Sequence, residues 1–284
     1  WKILALKQRV SYHQLTLQFE DYRVWEDVPP GEYEEDQALP FSFSFVSPRT
    51  LRLRLAARPD PVYEGDSPML DGEPPVDGSW RVSDDGDRTT YASEFGSVSV
   101  ERDPWRFEFC DASGRLLTRT QTLSDFMSVV NSNPTPFCFV RNSANLHRLI
   151  AASFALSPGE KLFGCGESFT RLDKRGQKTV LWAYDAYGAQ SANMYKPVPF
   201  FMSSRGYGMF VHTSAPLTLD LGRSYDGAST LFLGDDLLDL FFFFGSPKEI
   251  LSEYTTLTGR SPAPPLWSFG LWMGRETYYS QRVA

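Results

Sequence analysis

Residues 208–244 read GMFVHTSAPLTLDLGRSYDGASTLFLGDDLLDLFFFF. Three strand-length segments stand out in them: Gly208-Met-Phe-Val-His212, Leu217-Thr-Leu-Asp-Leu221 and Asp239 to Phe244. Successive side chains of a strand point to opposite faces, so Leu217, Leu219 and Leu221 would line one face of a sheet. Clusters of Gly, Ser, Asp and Pro punctuate the segments and supply turns. Short, half-buried strands joined in this way read as an antiparallel sandwich.

The same alternation recurs upstream. It appears at Leu15, Leu17 and Phe19, in Phe41-Ser-Phe-Ser-Phe45, and at Leu51, Leu53 and Leu55 between Arg52 and Arg54. Trp105-Arg-Phe-Glu-Phe109 is followed by the turn Asp111-Ala-Ser-Gly114 and by Leu116-Leu117, which predicts a hairpin. An aromatic content of 15%, with 21 Gly and 20 Pro, favours strands and turns over a helical bundle. Between Asp60 and Asp87 the alternation stops, and the Asp-, Glu-, Pro- and Gly-rich stretch predicts a long loop. Asp84-Asp-Gly-Asp87 lacks the ligand spacing of a calcium loop and reads as a solvated turn.

Charge and cysteine content exclude several classes. With 28 basic and 35 acidic residues the net charge is -7, the wrong sign for a general nucleic-acid surface or for anionic lipid heads. The longest apolar stretch, Leu237 to Phe244, is interrupted by Asp239 and is far short of the roughly 18–20 residues of a membrane helix. Cys110, Cys138 and Cys165 have no paired spacing, so neither a disulfide framework nor a zinc ribbon is expected. No metal, no cofactor, no nucleic acid and no membrane partner is expected, and the location expected is cytoplasmic.

One helix is well signalled. Ser246-Pro-Lys-Glu249 is a capping box with Pro at the first helical position; Ile250, Leu251, Tyr254 and Leu257 follow at helical spacing, and Gly259 stops the helix. Arg260-Ser-Pro-Ala-Pro-Pro265 is a stiff connector. The apolar run Leu266 to Met273 reads as a strand buried on both faces, as in a parallel barrel. Gly274 to Ser280 reads as a loop and Gln281 to Ala284 as the start of a helix.

Few residues suggest chemistry by themselves. His13, His147 and His212 share no metal spacing, and His212, in a strand, reads as a satisfied structural histidine. Gly164-Cys-Gly-Glu167 reads as a tight turn after a strand rather than a phosphate loop. Residues 163–201 mix polar, basic and aromatic side chains, with Trp182, Tyr184 and Tyr187 around Asp185. Aromatic faces pack on the C–H faces of pyranoses, and a carboxylate accepts from hydroxyls. On composition alone a surface loop without a ligand is the commoner outcome for such a segment.

In order and spacing, residues 163–201, Ser204-Arg-Gly-Tyr-Gly208, Ser246 to Leu251, Thr258-Gly-Arg260 and Trp267-Ser-Phe-Gly-Leu-Trp272 together resemble glycoside hydrolase family 31. Tyr195-Lys196 before the Pro-Phe strand and the Phe-Gly-Leu-Trp run resemble its α-xylosidase branch most. The resemblance covers about residues 160–280; upstream only the β pattern agrees. It implies a mainly β chain: a galactose-mutarotase-like β-sandwich over residues 1–245, the capped helix and linker over 246–265, and the first strand of a (β/α)8 barrel within 266–284.

The resemblance also implies a retaining double displacement on α-xylosides or α-glucosides of oligosaccharides, run by two carboxylates on later barrel strands. Their motif is absent from these residues, so no catalytic residue is assigned and the chain alone is expected to be inactive. Asp185 matches the aspartate of the family's Trp-Asn-x-Asp loop, here Trp182-Ala-Tyr-Asp185 with Ala183 in place of Asn. Asp185, Trp182 and Tyr187 are therefore the expected substrate-binding residues, joined by Thr277 and Tyr278 of the loop after the barrel strand. Ser168 stands where the family often has Arg. The implied partners are an α-linked oligosaccharide or glycoside, the catalytic barrel, and further copies of the chain in an oligomer. The alternative is a stand-alone, non-catalytic carbohydrate-binding β-sandwich.

Overall fold

A computed structural model of the chain describes residues 4–5, 38–58, 61, 67–102, 105–121, 123–125, 128–133, 137–141, 147–186 and 191–272. The strand expected at Leu15, Leu17 and Phe19 and the helix start expected at 281–284 lie outside these residues.

The described residues form two short antiparallel pairs, β1 (Leu4–Ala5) with β2 (Ala38–Leu39) and β10 (Leu123–Asp125) with β11 (Ser128–Asn133), and three larger sheets. One five-stranded sheet runs β5 (Arg81–Asp84), β6 (Arg88–Ala92), β7 (Gly96–Arg102), β8 (Trp105–Asp111), β9 (Leu116–Arg119). A second runs β12 (Phe137–Arg141), β13 (Arg148–Ala155), β19 (Ala228–Leu233), β18 (Leu217–Leu221), β15 (Gln177–Leu181). The six-stranded sheet runs β14 (Leu162–Gly166), β16 (Pro197–Ser203), β17 (Tyr207–Val211), β20 (Leu237–Phe244), β4 (Thr50–Ala56), β3 (Phe41–Ser47). Neighbouring strands within all three are antiparallel.

The six-stranded sheet explains the continuous apolar run at 240–244. Leu240, Phe242 and Phe244 face the sandwich core, which collects side chains from all three sheets. Phe241 and Phe243 face the other way, into a second apolar cluster with Phe200, Phe210, Ile250 and Leu257. That cluster sits beneath α1 (Pro247–Thr258). Phe242 stacks on Phe109 at 4.2 Å and on Tyr207 at 5.4 Å between ring centroids, tying β8 to β17 and β20. Beneath Tyr207, the buried Glu160 carboxylate accepts from Tyr207 Oη at 2.7 Å and from Ser203 Oγ at 2.5 Å. Burial, reinforced by the Glu160 charge, drives the Tyr207 phenol well above its usual range.

Burial of both sheet faces also changes the reading of β4. Its arginines alternate with leucines as if solvated, yet Arg52 is buried. Its guanidinium makes a fork to Asp239, Nε to Oδ1 at 2.7 Å and Nη2 to Oδ2 at 2.6 Å, and lies over the Phe241 ring. His212, one residue past β17, bonds Asp239 Oδ2 through Nδ1 at 2.9 Å and Ser67 Oγ through Nε2 at 2.6 Å. Burial works to raise the Asp239 carboxyl, but the bonds from Arg52 and His212 and the arginine charges outweigh it and hold it below the ordinary range. The order Ser67–His212–Asp239 is that of a nucleophile triad. Asp239 is already engaged by Arg52, however, and Ser67 Oγ accepts the Met69 N–H at 3.2 Å. The set is a tether that pins the 67–70 segment to the sheet.

Helix α1 forms where its sequence signals place it. Glu249 Oε2 accepts from the Ser246 N–H at 2.8 Å and from Ser246 Oγ at 2.7 Å, and the helix ends before Gly259 at φ 84°. Ile250, Tyr254 and Leu257 face the sheet, Tyr254 stacking on Phe200 at 4.2 Å. Leu251 is exposed, because a step of about 100° per residue turns it off that face.

Three expectations change. The long 60–87 loop contains β5 near its end, an edge strand paired through Val82 and Tyr91. All of its residues are exposed, so no alternation marks it. Gly164-Cys-Gly is not a turn after a strand but an irregularity inside β14, with Cys165 at φ 71°. The expected barrel strand is a 3-10 helix over Leu266–Phe269, with Leu266, Trp267, Phe269, Leu271 and Trp272 exposed. A strand needs a ladder partner, and none of the described strands pairs with this segment. Local bonds take over: Ser268 N–H to Pro265 O at 2.9 Å and Gly270 N–H to Trp267 O at 3.0 Å.

Candidate functional site

The chain passes from β15, at the edge of one five-stranded sheet, to β16 in the six-stranded sheet. The connection between them carries the aromatic and acidic residues singled out in the sequence. Leu181 is buried at the end of β15, and the chain then turns outward at Trp182. Residues 183–184 and 194 come together as two limbs: Ala183 and Met194 form a parallel bridge, and the Tyr184 N–H donates to Met194 O at 3.1 Å. Ala186 and Met194 are buried and anchor the limbs. Trp182, Tyr184, Asp185 and Tyr195 stay exposed.

The limbs are joined by side chains as well. Tyr195 Oη donates to Asp185 Oδ1, and Asn193 Nδ2 donates to Asp185 O at 3.4 Å. Behind Trp182 lies a cavity of about 300 Å³ lined by Met69, Ala183, Pro197, Pro199 and Ala215, with Thr213 and Ser214 as its polar members. The tethered 67–70 segment thus supplies one wall of the cavity next to Trp182. Of the residues expected from sequence, the structure brings Trp182 and Asp185 to one loop face. Tyr187, Thr277 and Tyr278 lie outside the described residues.

Sequence reading used Tyr195 only as a marker and missed its contact with Asp185. It lies ten positions from Asp185 in the numbering, with no periodic relation to it. Lys174 was also missed. It is buried, and its Nζ donates to Ser168 Oγ at 2.9 Å and to Thr170 Oγ1 at 2.8 Å. A basic group from elsewhere in the chain therefore reaches the position where Ser168 had suggested a missing arginine. Burial, opposed by the Lys174 charge, pushes the neighbouring Cys165 thiol up to about 12, so it holds no thiolate for nucleophilic chemistry at neutral pH.

The irregular β14 segment supports the Tyr195 limb. The Glu167 N–H donates to Lys196 O at 3.1 Å, and the Lys196 and Glu167 side chains pair at 3.5 Å in solvent. Gly166 has φ 84°, and a Cβ there would stand 2.2 Å from Lys196 O and 2.6 Å from Val198 N. Both contacts are backbone, so neither can swing aside. Gly166→Ala is expected to lower unfolding stability by about 2 kcal/mol, through overpacking and left-handed strain. A shift of the urea midpoint checks this; an unchanged midpoint contradicts it.

Among the described residues no group of three or more His, Cys, Asp or Glu could hold a metal ion, and no helix is long and apolar enough to cross a membrane. The Asp84 and Asp85 carboxylates accept turn N–H groups from Gly86 and Arg88, each at 2.9 Å, and Asp84 pairs with Arg102 at 2.7 Å. Among the loop's described residues no nucleophile–base pair occurs, and the arrangement suits binding: an oriented carboxylate beside exposed aromatic faces and a small apolar cavity.

The family model described as the glycosyl hydrolase 31 N-terminal galactose mutarotase-like domain matches residues 40–220. The chain is 40% identical over 135 residues to an α-xylosidase of Emericella nidulans, covering 46% of this chain and 17% of that protein. It is 33% identical over 175 residues to the α-xylosidase XylQ of Lactiplantibacillus pentosus, covering 61% of this chain and 21% of that protein. It thus spans about a fifth of the length of these relatives. Its fold is similar to that of a dextranase from Flavobacterium johnsoniae solved with isomaltotriose. That match has a TM-score of 0.66 and 24% identity over 82% of this chain and 27% of that one.

Proposed function

Because the chain belongs to glycoside hydrolase family 31, through that family's N-terminal galactose-mutarotase-like domain, we propose that it is the sandwich portion of a retaining α-glycosidase that acts on α-xylosides or α-glucosides of oligosaccharides. The observation that carries this reading is the two-limbed loop, which projects Asp185 and its aromatic neighbours from the crossing between two sheets. The α-xylosidase relatives support the xyloside end of the substrate range. The isomaltotriose held by the similar dextranase structure supports an oligosaccharide as ligand.

In this reading the sandwich does not break the glycosidic bond. Asp185 accepts hydrogen bonds from hydroxyls of the bound sugar, and Trp182 offers a ring face to its C–H surface. Tyr187, Thr277 and Tyr278, which lie outside the described residues, are the further sugar-binding residues of this proposal. The nucleophile and acid–base carboxylates of the double displacement come from a barrel that follows. The exposed apolar side chains of Leu266, Trp267, Phe269, Leu271 and Trp272 support a domain that begins near residue 266 and buries them. Sandwich, linker helix and barrel start then divide at about 245 and 265.

The test is hydrolysis of p-nitrophenyl α-D-xylopyranoside and α-D-glucopyranoside. The whole protein is expected to turn over at least one of them, and the 284-residue chain neither. Turnover by the mass-verified chain alone, or none by the whole protein, overturns the reading.

A further inference from the structure

We propose that Tyr195 is the positioning residue of the loop carboxylate: its phenol holds Asp185 in the orientation that receives the sugar. This rests on the reading of Asp185 as a sugar ligand and adds to it a second, non-contacting residue. Tyr195 Oη donates to Asp185 Oδ1, and both side chains lie at the exposed face of the loop.

The backbone around Tyr195 is fixed on both sides. Met194 is buried and bridged to Ala183, while Lys196 O accepts the Glu167 N–H at 3.1 Å. On the other limb, Asp185 O accepts from Asn193 at 3.4 Å and Ala186 is buried. Backbone anchors alone do not stop rotation about a carboxylate's own side-chain bonds. A tyrosine is suited to stop that rotation, because its ring has only two torsions to freeze. Two positions after Tyr195, Pro197 lines the cavity behind Trp182.

The experiment compares four forms of the whole protein on p-nitrophenyl α-D-xylopyranoside: wild type, Tyr195→Phe, Asp185→Ala and the double variant. Tyr195→Phe keeps the ring and removes only the donor. It is expected to raise KM about tenfold with kcat within about twofold and the thermal midpoint unchanged. The double variant is expected to be no worse than Asp185→Ala, since a residue that acts through Asp185 has nothing left to position. Wild-type KM in Tyr195→Phe together with an impaired Asp185→Ala overturns the positioning role alone. Equal losses from Tyr195→Phe in the presence and absence of Asp185 also overturn it, by showing that the phenol acts independently. Wild-type KM in both single variants overturns the sugar-ligand reading along with it.

Discussion

Asp185→Ala in the whole protein is expected to lower kcat/KM for the α-glycoside by about 100-fold while leaving the fold intact. Asp185 is exposed, so its removal opens no core cavity. What is lost is hydrogen bonding between a carboxylate and sugar hydroxyls. A hydrogen bond to a charged group contributes about 1.5–3 kcal/mol, and a tenfold change in rate is about 1.4 kcal/mol. Two such bonds at the low end give roughly 3 kcal/mol, hence the 100-fold figure. The measurement is steady-state kinetics with unfolding midpoints of wild type and variant beside it. A kcat/KM within threefold of wild type contradicts the role given to Asp185, and a lowered midpoint would reassign it to structure.

Phe242→Ala is expected to lower the unfolding free energy by about 4 kcal/mol. Phe242 is buried, faces the core shared by three sheets, and stacks on both Phe109 and Tyr207. Truncating a buried phenylalanine costs about 3–5 kcal/mol through lost transfer energy and the cavity left behind. Its stacked partners keep it clear of the bottom of that range. Against a typical total stability of about 5–15 kcal/mol, such a loss approaches the whole margin of a domain. Leu251→Ala, on the exposed side of α1, is expected to cost less than about 0.5 kcal/mol. Urea unfolding of the two variants checks the contrast; equal losses would contradict the placement of β20 between core and helix.

The β character was legible because alternation is a local signal. Leu217, Leu219 and Leu221, and Phe41-Ser-Phe-Ser-Phe45, fall in strands where they were expected. The capped helix was legible for the same reason: Ser246, Pro247 and Glu249 act within one turn. What alternation could not show was a second covered face. Arg52 looks solvated in sequence, and only the ladder that brings β4 beside β20 puts Asp239 within its reach.

The edge strand β5 was missed because an exposed strand needs no apolar side. The run Leu266 to Met273 reads as a strand from its composition, but the strand state depends on partners that the described residues do not supply. Asp185 and Trp182 are singled out in sequence by the aromatic and acidic make-up of their segment and by a resemblance to known sequences. Tyr195 and Lys174 emerged only from distances, since nothing in their spacing links them to Asp185 or Ser168.

The most direct test is a crystal structure of the whole protein with an α-xylosyl or α-glucosyl oligosaccharide in its substrate site. An Asp185 carboxylate oxygen is expected within about 2.7–3.0 Å of a sugar hydroxyl, with Tyr195 still donating to the same carboxylate. A bound sugar whose hydroxyls are all satisfied elsewhere, with Asp185 beyond hydrogen-bonding reach, would contradict it.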